Sequence, residues 1–176
     1  MMWFAGLFQP KPKYTDGGWL VDPLIERPHG GRSQLGAFAP SDPSEETPNL
    51  EFHIQPLSLD KFGEPLHRFP AFTASVCNLR PSSRGHVRIT SPDFRAPPEI
   101  HPNYLATEAD RRVAVDAIRL TRRIVAAGAM KRGEPVEFLP GAHLVTDEEL
   151  LKAAGDVGTT IFHPVGTCKM GNDDAA

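Results

Sequence analysis

The sequence has 176 residues, with 18 prolines and 15 glycines, and its 19 basic and 22 acidic residues give a net charge of −3. Fifteen of the prolines fall in the first 102 residues, and because proline clashes in helix interiors this excludes a mostly helical first half. The small net charge argues against nucleic acid as a partner, and no apolar run reaches the roughly 18 residues of a transmembrane segment.

The first 48 residues hold seven prolines and six glycines, a composition typical of turns and extended connections. Residues 1–8 are apolar but lack the basic residues and cleavage site of a secretory signal. Cys77 and Cys168 make no disulfide framework, so the sequence favours a reducing, cytoplasmic setting. We predict a Pro/Gly-rich segment and linker over 1–48, a folded domain over 49–171 and a short tail over 172–176.

Three strands are predicted after the linker. Alternating apolar and polar residues indicate a strand over 49–56, and aromatic and β-branched residues indicate another over 69–79. A turn cluster at 80–85 leads to a third strand over 86–91. Because no helix lies between them, we expect the second and third strands to pair antiparallel, and we expect residues 93–103 to be irregular. Phe52, Ile54, Phe72 and Val76 are candidates for the lining of a pocket or for the core of the sheet, and the core is the favoured interpretation.

Two helices are predicted after the strands, over 107–127 and 147–156. The first gathers its apolar residues on one side and five arginines on the other, a pattern typical of a solvated outer face and, less often, of an anion or partner site. Strands followed by helices predict an α+β fold, with a mainly antiparallel sheet covered by helices. Each helix begins with a capping-box pattern, Thr107 with Asp110 and Thr146 with Glu149.

The densest group of reactive side chains lies in residues 159–171, where His163, Cys168 and Lys169 fall within seven residues. Histidine is the commonest general base, although a lone histidine before a proline is also a common structural residue. A Cys168 nucleophile lacks a base at a recognisable spacing. A zinc site from His163 and Cys168 with His101 or His143 lacks paired ligand spacing, so we predict no metal site. The sequence also contains no phosphate-binding G-x-G-x-x-G after a strand and no G-K-[ST].

Four segments in order resemble the glucose-methanol-choline (GMC) flavoprotein oxidoreductases, and most of all their bacterial choline dehydrogenase-like members. The segments are PNLEFH at 48–53, RPSSRGHVRI at 80–89, PNYL at 102–105 and TIFHPVGTCKMG at 160–171. The resemblance covers residues 34–171 and implies the C-terminal substrate-binding domain of such an enzyme. It implies an incomplete domain, because the family's dinucleotide motif and its second active-site residue, a His or an Asn, are not in this sequence.

The resemblance implies oxidation of a primary alcohol, choline or a related one, to the aldehyde by hydride transfer to FAD. By its place in the motif, His163 matches the histidine that takes the hydroxyl proton, and His163, Pro164 and Val165 are expected beside the cofactor. The main FAD-binding domain is expected outside this chain, which alone should be inactive. The alternative is a catalytically silent fragment or binding module that keeps the fold without FAD. The alcohol, the electron acceptor and the oligomeric state stay open.

Overall fold

The computed structural model describes residues 2–10, 35–60, 64–163, 165–166 and 169–172, with only the backbone given for residues 2–10 and Ala129. In chain order the elements are β1 (Met2–Pro10), β2 (Leu35–Ala39), β3 (Leu50–Gln55), β4 (Phe72–Asn78), β5 (His86–Arg88), β6 (Glu99–His101), α1 (Glu108–Val125), α2 (Gly128–Lys131), β7 (Pro135–Leu139), α3 (Asp147–Val157) and β8 (Thr159–Thr160). Among the helices of these residues, none combines the length and the apolar composition needed to cross a membrane.

The main sheet has six strands in the order β2-β3-β4-β1-β7, with β8 also paired to β1. Each of these pairings is antiparallel. Strand β1 lies between β4 on one edge and both β7 and β8 on the other, with β8 beside its first residues and β7 beside its last. The structure confirms the predicted α+β class with a mainly antiparallel sheet.

The core forms where α1 and α3 pack on β3 and β4. Leu50 and Phe52 alternate with partly exposed Glu51 and His53 along β3, which is the period of a half-buried strand. Phe52 and Val76 are opposite each other in the sheet, and both are at most 2% exposed. The buried residues of this core are Leu50, Phe52, Val76, Val115, Ala117, Ile118, Leu150 and Ala154. Ile54 and Phe72, also predicted to be in the core, are partly buried against Ala74 and Val125.

The two long helices begin where the capping residues predict. The Thr107 hydroxyl accepts the amide of Asp110 at 3.2 Å, but the described hydrogen bonds of the Asp110 carboxylate go to the turn after β4 and not back to Thr107. The predicted box of α1 is therefore only half formed. At α3 the box is complete, since Thr146 accepts the amide of Glu149 and the Glu149 carboxylate accepts the amide of Thr146.

The predicted pairing of the second and third strands is wrong. Strand β4 has β3 on one edge and β1 on the other, so it has no free edge for β5. Strand β5 instead pairs antiparallel with β6 in a separate two-stranded sheet, in a region predicted to be irregular. Gly85 permits this course, because a Cβ there would meet the carbonyl oxygen of His101 and lie 2.6 Å from that of Pro102.

The segment before residue 49 contributes two strands that the sequence analysis did not predict. Strand β1 is interior to the sheet, and β2 pairs with β3 along its whole length. The boundary predicted at residue 49 therefore separates strands that belong to one sheet. Composition averaged over 48 residues hides a nine-residue strand such as β1.

The arginine-rich face of α1 is only partly a solvated surface. The Arg122 guanidinium donates to both carboxylate oxygens of Glu137 at 2.8 and 2.9 Å. It also donates to the carbonyl oxygens of Leu144 and Gly141. The Glu137 side chain is 7% exposed. Arg122 thus fastens β7 and the loop after it to α1, whereas the exposed Arg119 pairs with Asp147 at the start of α3.

We predict opposite effects for two glycine substitutions. Gly85→Ala should lower the free energy of unfolding by about 2 kcal/mol or more, because the added methyl group clashes with backbone atoms that cannot rotate away. Gly155→Ala, in α3 with no neighbour within 4 Å, should raise it by about 0.5–1 kcal/mol. Urea unfolding followed by circular dichroism measures both. Equal effects of the two substitutions would contradict the close approach at Gly85.

Candidate active site

The four segments that carry the resemblance lie at one end of the main sheet. In the sheet register Leu50 is opposite Asn78, Cys77 is opposite Trp3, and Trp3 is opposite Thr159. The start of β3, the turn after β4 and the start of the segment with His163 are therefore neighbours. The remaining segment, at 102–105, joins them through Tyr104, whose hydroxyl donates to the hydroxyl oxygen of Thr160.

Arg80 binds the first segment to the turn after β4. Its guanidinium donates to the Thr47 hydroxyl at 2.5 Å, to the Thr47 carbonyl at 3.1 Å and to the Glu45 carboxylate at 3.3 Å. Beside it the Leu79 amide donates to the Asn49 carbonyl at 2.9 Å. These bonds fix the chain on both sides of Pro48 against the end of β4.

The Asp110 carboxylate shapes the same turn. It accepts the amides of Ser82 and Ser83 at 2.9 and 2.8 Å, the Ser82 hydroxyl at 3.2 Å and the Asn78 side-chain amide at 3.4 Å. Asp110 is 6% exposed, and desolvation is the largest single influence on its pKa, which it raises. The hydrogen bonds from Ser83 and Ser82 together outweigh that influence and hold the pKa of Asp110 below its ordinary value.

The two serines also join the turn to the start of α1. The Ser83 hydroxyl accepts the amides of Ala106 and Thr107 at 3.0 and 3.3 Å. The hydroxyls of Ser82 and Thr107 are 2.7 Å apart and share a hydrogen bond. The start of α1 and the turn therefore form one hydrogen-bonded unit.

His163 follows β8 in the chain, and its side chain is exposed. Large apolar side chains near it in the sequence are also exposed: Phe162 at 76%, Val165 at 93% and Met170 at 100%. At Gly166 the backbone has φ +95°, and a Cβ would have no neighbour within 4 Å. We call the four exposed residues Phe162, His163, Val165 and Met170 the histidine strip. Pro164 and Cys168 lie outside the described residues.

The histidine strip offers groups whose chemistry suits one part of FAD. An exposed imidazole and exposed apolar side chains are the kinds of group that line a site for a flat, largely apolar ring system. The phosphates of FAD would need backbone amides of the kind that a G-x-G-x-x-G turn supplies, and that motif is not in the sequence. His163 and Val165 are therefore the described residues that could contact the ring of a bound FAD.

The other reactive residues considered from the sequence lie in different surroundings. His101 is in β6 and stacks on His86, with ring centroids 5.2 Å apart. His143 follows β7, where its ring abuts Gly141. Among the residues that the structure describes, no group of three His, Cys, Asp or Glu side chains is arranged to hold a metal ion. Cys77 is buried, and desolvation together with the Glu51 carboxylate raises the pKa of its thiol to about 12.

Residues 81–176 match the sequence pattern of a family described as GMC oxidoreductase. The chain belongs to this family. The assignment confirms the family predicted from the four segments. The turn bound by Asp110 and the histidine strip both lie within the residues of this GMC oxidoreductase chain that match the family. The sequence analysis missed the role of Asp110, whose only sequence signal was a capping pattern, and the link between Tyr104 and Thr160, for which the sequence carries no signal.

Among curated GMC relatives, the chain is 40% identical over 139 residues to an oxygen-dependent choline dehydrogenase of Chromohalobacter salexigens, covering 79% of this chain and 25% of that protein. It is 34% identical over 144 residues to an alcohol dehydrogenase [acceptor] of Pseudomonas putida, covering 82% of this chain and 26% of that one. The chain thus spans about a quarter of the length of the curated relatives it matches.

Two solved structures are similar to this GMC chain. A pyridoxine 4-oxidase from Mesorbium loti superposes with a TM-score of 0.71 at 27% identity, covering 82% of this chain and 29% of that one. An Aspergillus oryzae RIB40 formate oxidase variant, determined in a study of FAD modification, superposes with a TM-score of 0.61 at 26% identity, covering 69% and 22%. Both support the same incomplete α+β domain.

We predict that Asp110→Ala lowers the free energy of unfolding by about 2–3 kcal/mol, because two part-buried backbone amides lose the carboxylate that accepts them. Glu108→Ala, an exposed carboxylate in the same helical turn, should cost less than about 1 kcal/mol. Urea unfolding at pH 7 measures both. The two variants would lose equal stability if the carboxylate of Asp110 acted only through the helix dipole.

The Asp110 contribution should also depend on pH. Its pKa is lower in the folded chain than the unfolded value near 3.9, so the stabilisation is complete above that value and is lost as the pH falls through the folded pKa. Urea unfolding between pH 7 and pH 3 should therefore show a stability difference between the wild type and Asp110→Ala that shrinks at the acid end. A stability difference that stays constant over this pH range would contradict the lowered pKa of Asp110.

Proposed function

We propose that the chain is the substrate-domain part of an FAD-dependent GMC oxidoreductase that oxidises the CH–OH group of a primary alcohol, choline or a related one, to the aldehyde. The observation that carries the proposal is the exposed imidazole of His163, which follows β8 at the sheet end where the start of β3 and the end of β4 also lie. The choline dehydrogenase and the alcohol dehydrogenase among the relatives support this substrate class.

His163 is the base in this proposal. Oxidation of an alcohol removes the hydroxyl proton and a hydride from the carbon, and an exposed neutral imidazole can accept the proton. FAD, when bound, supplies the hydride acceptor. With FAD and the alcohol bound, the apolar side chains of Phe162 and Val165, both exposed in this chain, would help to exclude water from the reacting groups.

The cofactor contacts in this proposal are His163, Val165 and Pro164, the last of which lies outside the described residues. They serve the flavin ring only, while the phosphates are held by a part of the enzyme that this sequence does not contain. A cytoplasmic setting belongs to the proposal too, on the ground that the described Cys77 is a buried free thiol.

The alternative is a silent binding module, and the missing phosphate-binding motif is the observation that favours it. Gel filtration of the purified chain with FAD, followed by a visible spectrum, measures whether the 176-residue chain retains FAD without the rest of the enzyme. We expect no retained flavin bands for the 176-residue chain. Retained bands and dye reduction by choline would show that the chain acts without further protein.

The direct test of His163 is a chimera. The 139 residues of this chain that match the Chromohalobacter salexigens enzyme replace their counterpart in it, and flavin reduction by choline is followed anaerobically by stopped flow. In the chimera His163→Ala should slow flavin reduction by roughly two to four orders of magnitude, the usual contribution of a general base. His143→Ala, an exposed histidine of the loop after β7, is the matched control and should leave the rate within about twofold. Equal rates for both variants would show that His163 is not the base.

A further inference from the structure

We propose that Tyr104 positions His163, acting through the hydroxyl of Thr160. Tyr104 is a positioning residue in this account, since it lies on a different segment and contacts Thr160 rather than the imidazole. The catalytic meaning of the inference rests on the proposed function, whereas its structural content concerns the backbone that carries His163.

One oxygen atom joins the two segments. The Tyr104 phenol donates to the Thr160 Oγ1 at 2.9 Å, and the backbone amide of Phe162 donates to the same Oγ1 at 3.2 Å. A hydroxyl oxygen has two acceptor positions, so both bonds can form together. Thr160 is itself held in β8, opposite Met2 of the interior strand β1. The phenol is thus connected to the main sheet and to the residue that precedes His163.

Phe162, the residue before His163, needs such a connection. Phe162 has φ +62°, a left-handed conformation that a bulky side chain rarely adopts. This conformation turns the chain out of β8 and sets the direction in which His163 leaves the sheet. The bond from the Phe162 amide to the Thr160 hydroxyl is the described contact that holds the turn.

Tyr104 lies on a backbone that is fixed on both sides. Asn103 and Leu105 have φ values of 55° and 57°, and the Asn103 side-chain amide donates to the Arg84 carbonyl at 3.0 Å. Leu105 packs against the main core. By contrast, the His163 ring makes no hydrogen bond to any other residue in the described part of the chain, so the backbone at Phe162 governs its orientation there.

The test uses NMR of the purified 176-residue chain. Thr160→Val removes the shared oxygen, and Tyr104→Phe removes only the phenol hydroxyl. Both should speed hydrogen exchange of the Phe162 amide, by about tenfold where one hydrogen bond is lost, and both should shift the ring resonances of His163. Thr160→Ser keeps the hydroxyl and should restore wild-type values. Thr159→Val is the matched control in the same strand and should change neither quantity.

A general loss of stability would give a different pattern, because the Leu150 amide in α3 would then exchange faster as well. We expect Leu150 to be unaffected. Unchanged Phe162 exchange and unchanged His163 resonances in Tyr104→Phe would overturn the proposal.

The chimera supplies the catalytic arm. Tyr104→Phe should slow flavin reduction by about tenfold and move the midpoint of its pH profile, while the apparent Kd for choline stays the same. If His163→Ala has no effect while the NMR changes occur, the proposed function fails and the positioning stands. If His163→Ala slows the reaction and Tyr104→Phe changes neither the NMR signals nor the pH profile, the positioning is wrong and the proposed function stands.

Discussion

The buried carboxylate of Asp110, on the first turn of α1, fixes the turn after β4 at the end of the main sheet where the family segments lie. After β4 the Leu79 amide still pairs with the Asn49 carbonyl, but the chain then leaves the sheet, so the amides of Ser82 and Ser83 have no strand partner. A part-buried amide without an acceptor is costly, and the Asp110 carboxylate accepts both of these amides. The same turn carries Arg80, which binds the segment before β3, and leads to Gly85, where the two-stranded sheet begins. The positions of the other family segments therefore depend on this one group.

The arrangement separates a rigid frame from an exposed reactive edge. The sheet end, the turn and the start of α1 are joined by hydrogen bonds of 2.7 to 3.3 Å between Ser82, Ser83 and the residues from 106 to 110. The histidine strip follows this frame in the chain and is exposed. In the proposed role of His163 as a base, its position must be fixed to within a fraction of an ångström, and the surface proposed to receive the cofactor must remain uncovered until FAD binds. A frame that holds the backbone and leaves the imidazole exposed is compatible with both conditions.

Sequence reasoning succeeded where structure follows from local periodicity. Strands β3 and β4 and helices α1 and α3 lie where alternation, amphipathic spacing and capping residues predict them, and the family followed from four short segments. It failed where the outcome depends on distant partners. The partner of β5 depends on which strands occupy the edges of β4, and one of them, β1, lies about seventy residues earlier in the chain. The helical pattern alone favours a solvated Arg122, because its partner Glu137 belongs to β7, a strand that the sequence does not predict. The Asp110 side chain could either complete the capping box of α1 or bind another segment of the chain. Only its three-dimensional neighbours, Ser82 and Ser83, decide between these two roles.

The role of Asp110 is tested most directly by NMR, which follows the amide protons of Ser82 and Ser83 as the pH is lowered from 7 to 2. Amides that donate to the Asp110 carboxylate should shift together when that group takes up a proton, with one midpoint below the ordinary aspartate value of 3.8. Shifts with a midpoint at or above 3.8, or amides that do not respond before the chain unfolds, would contradict the claim that Asp110 holds this end of the protein.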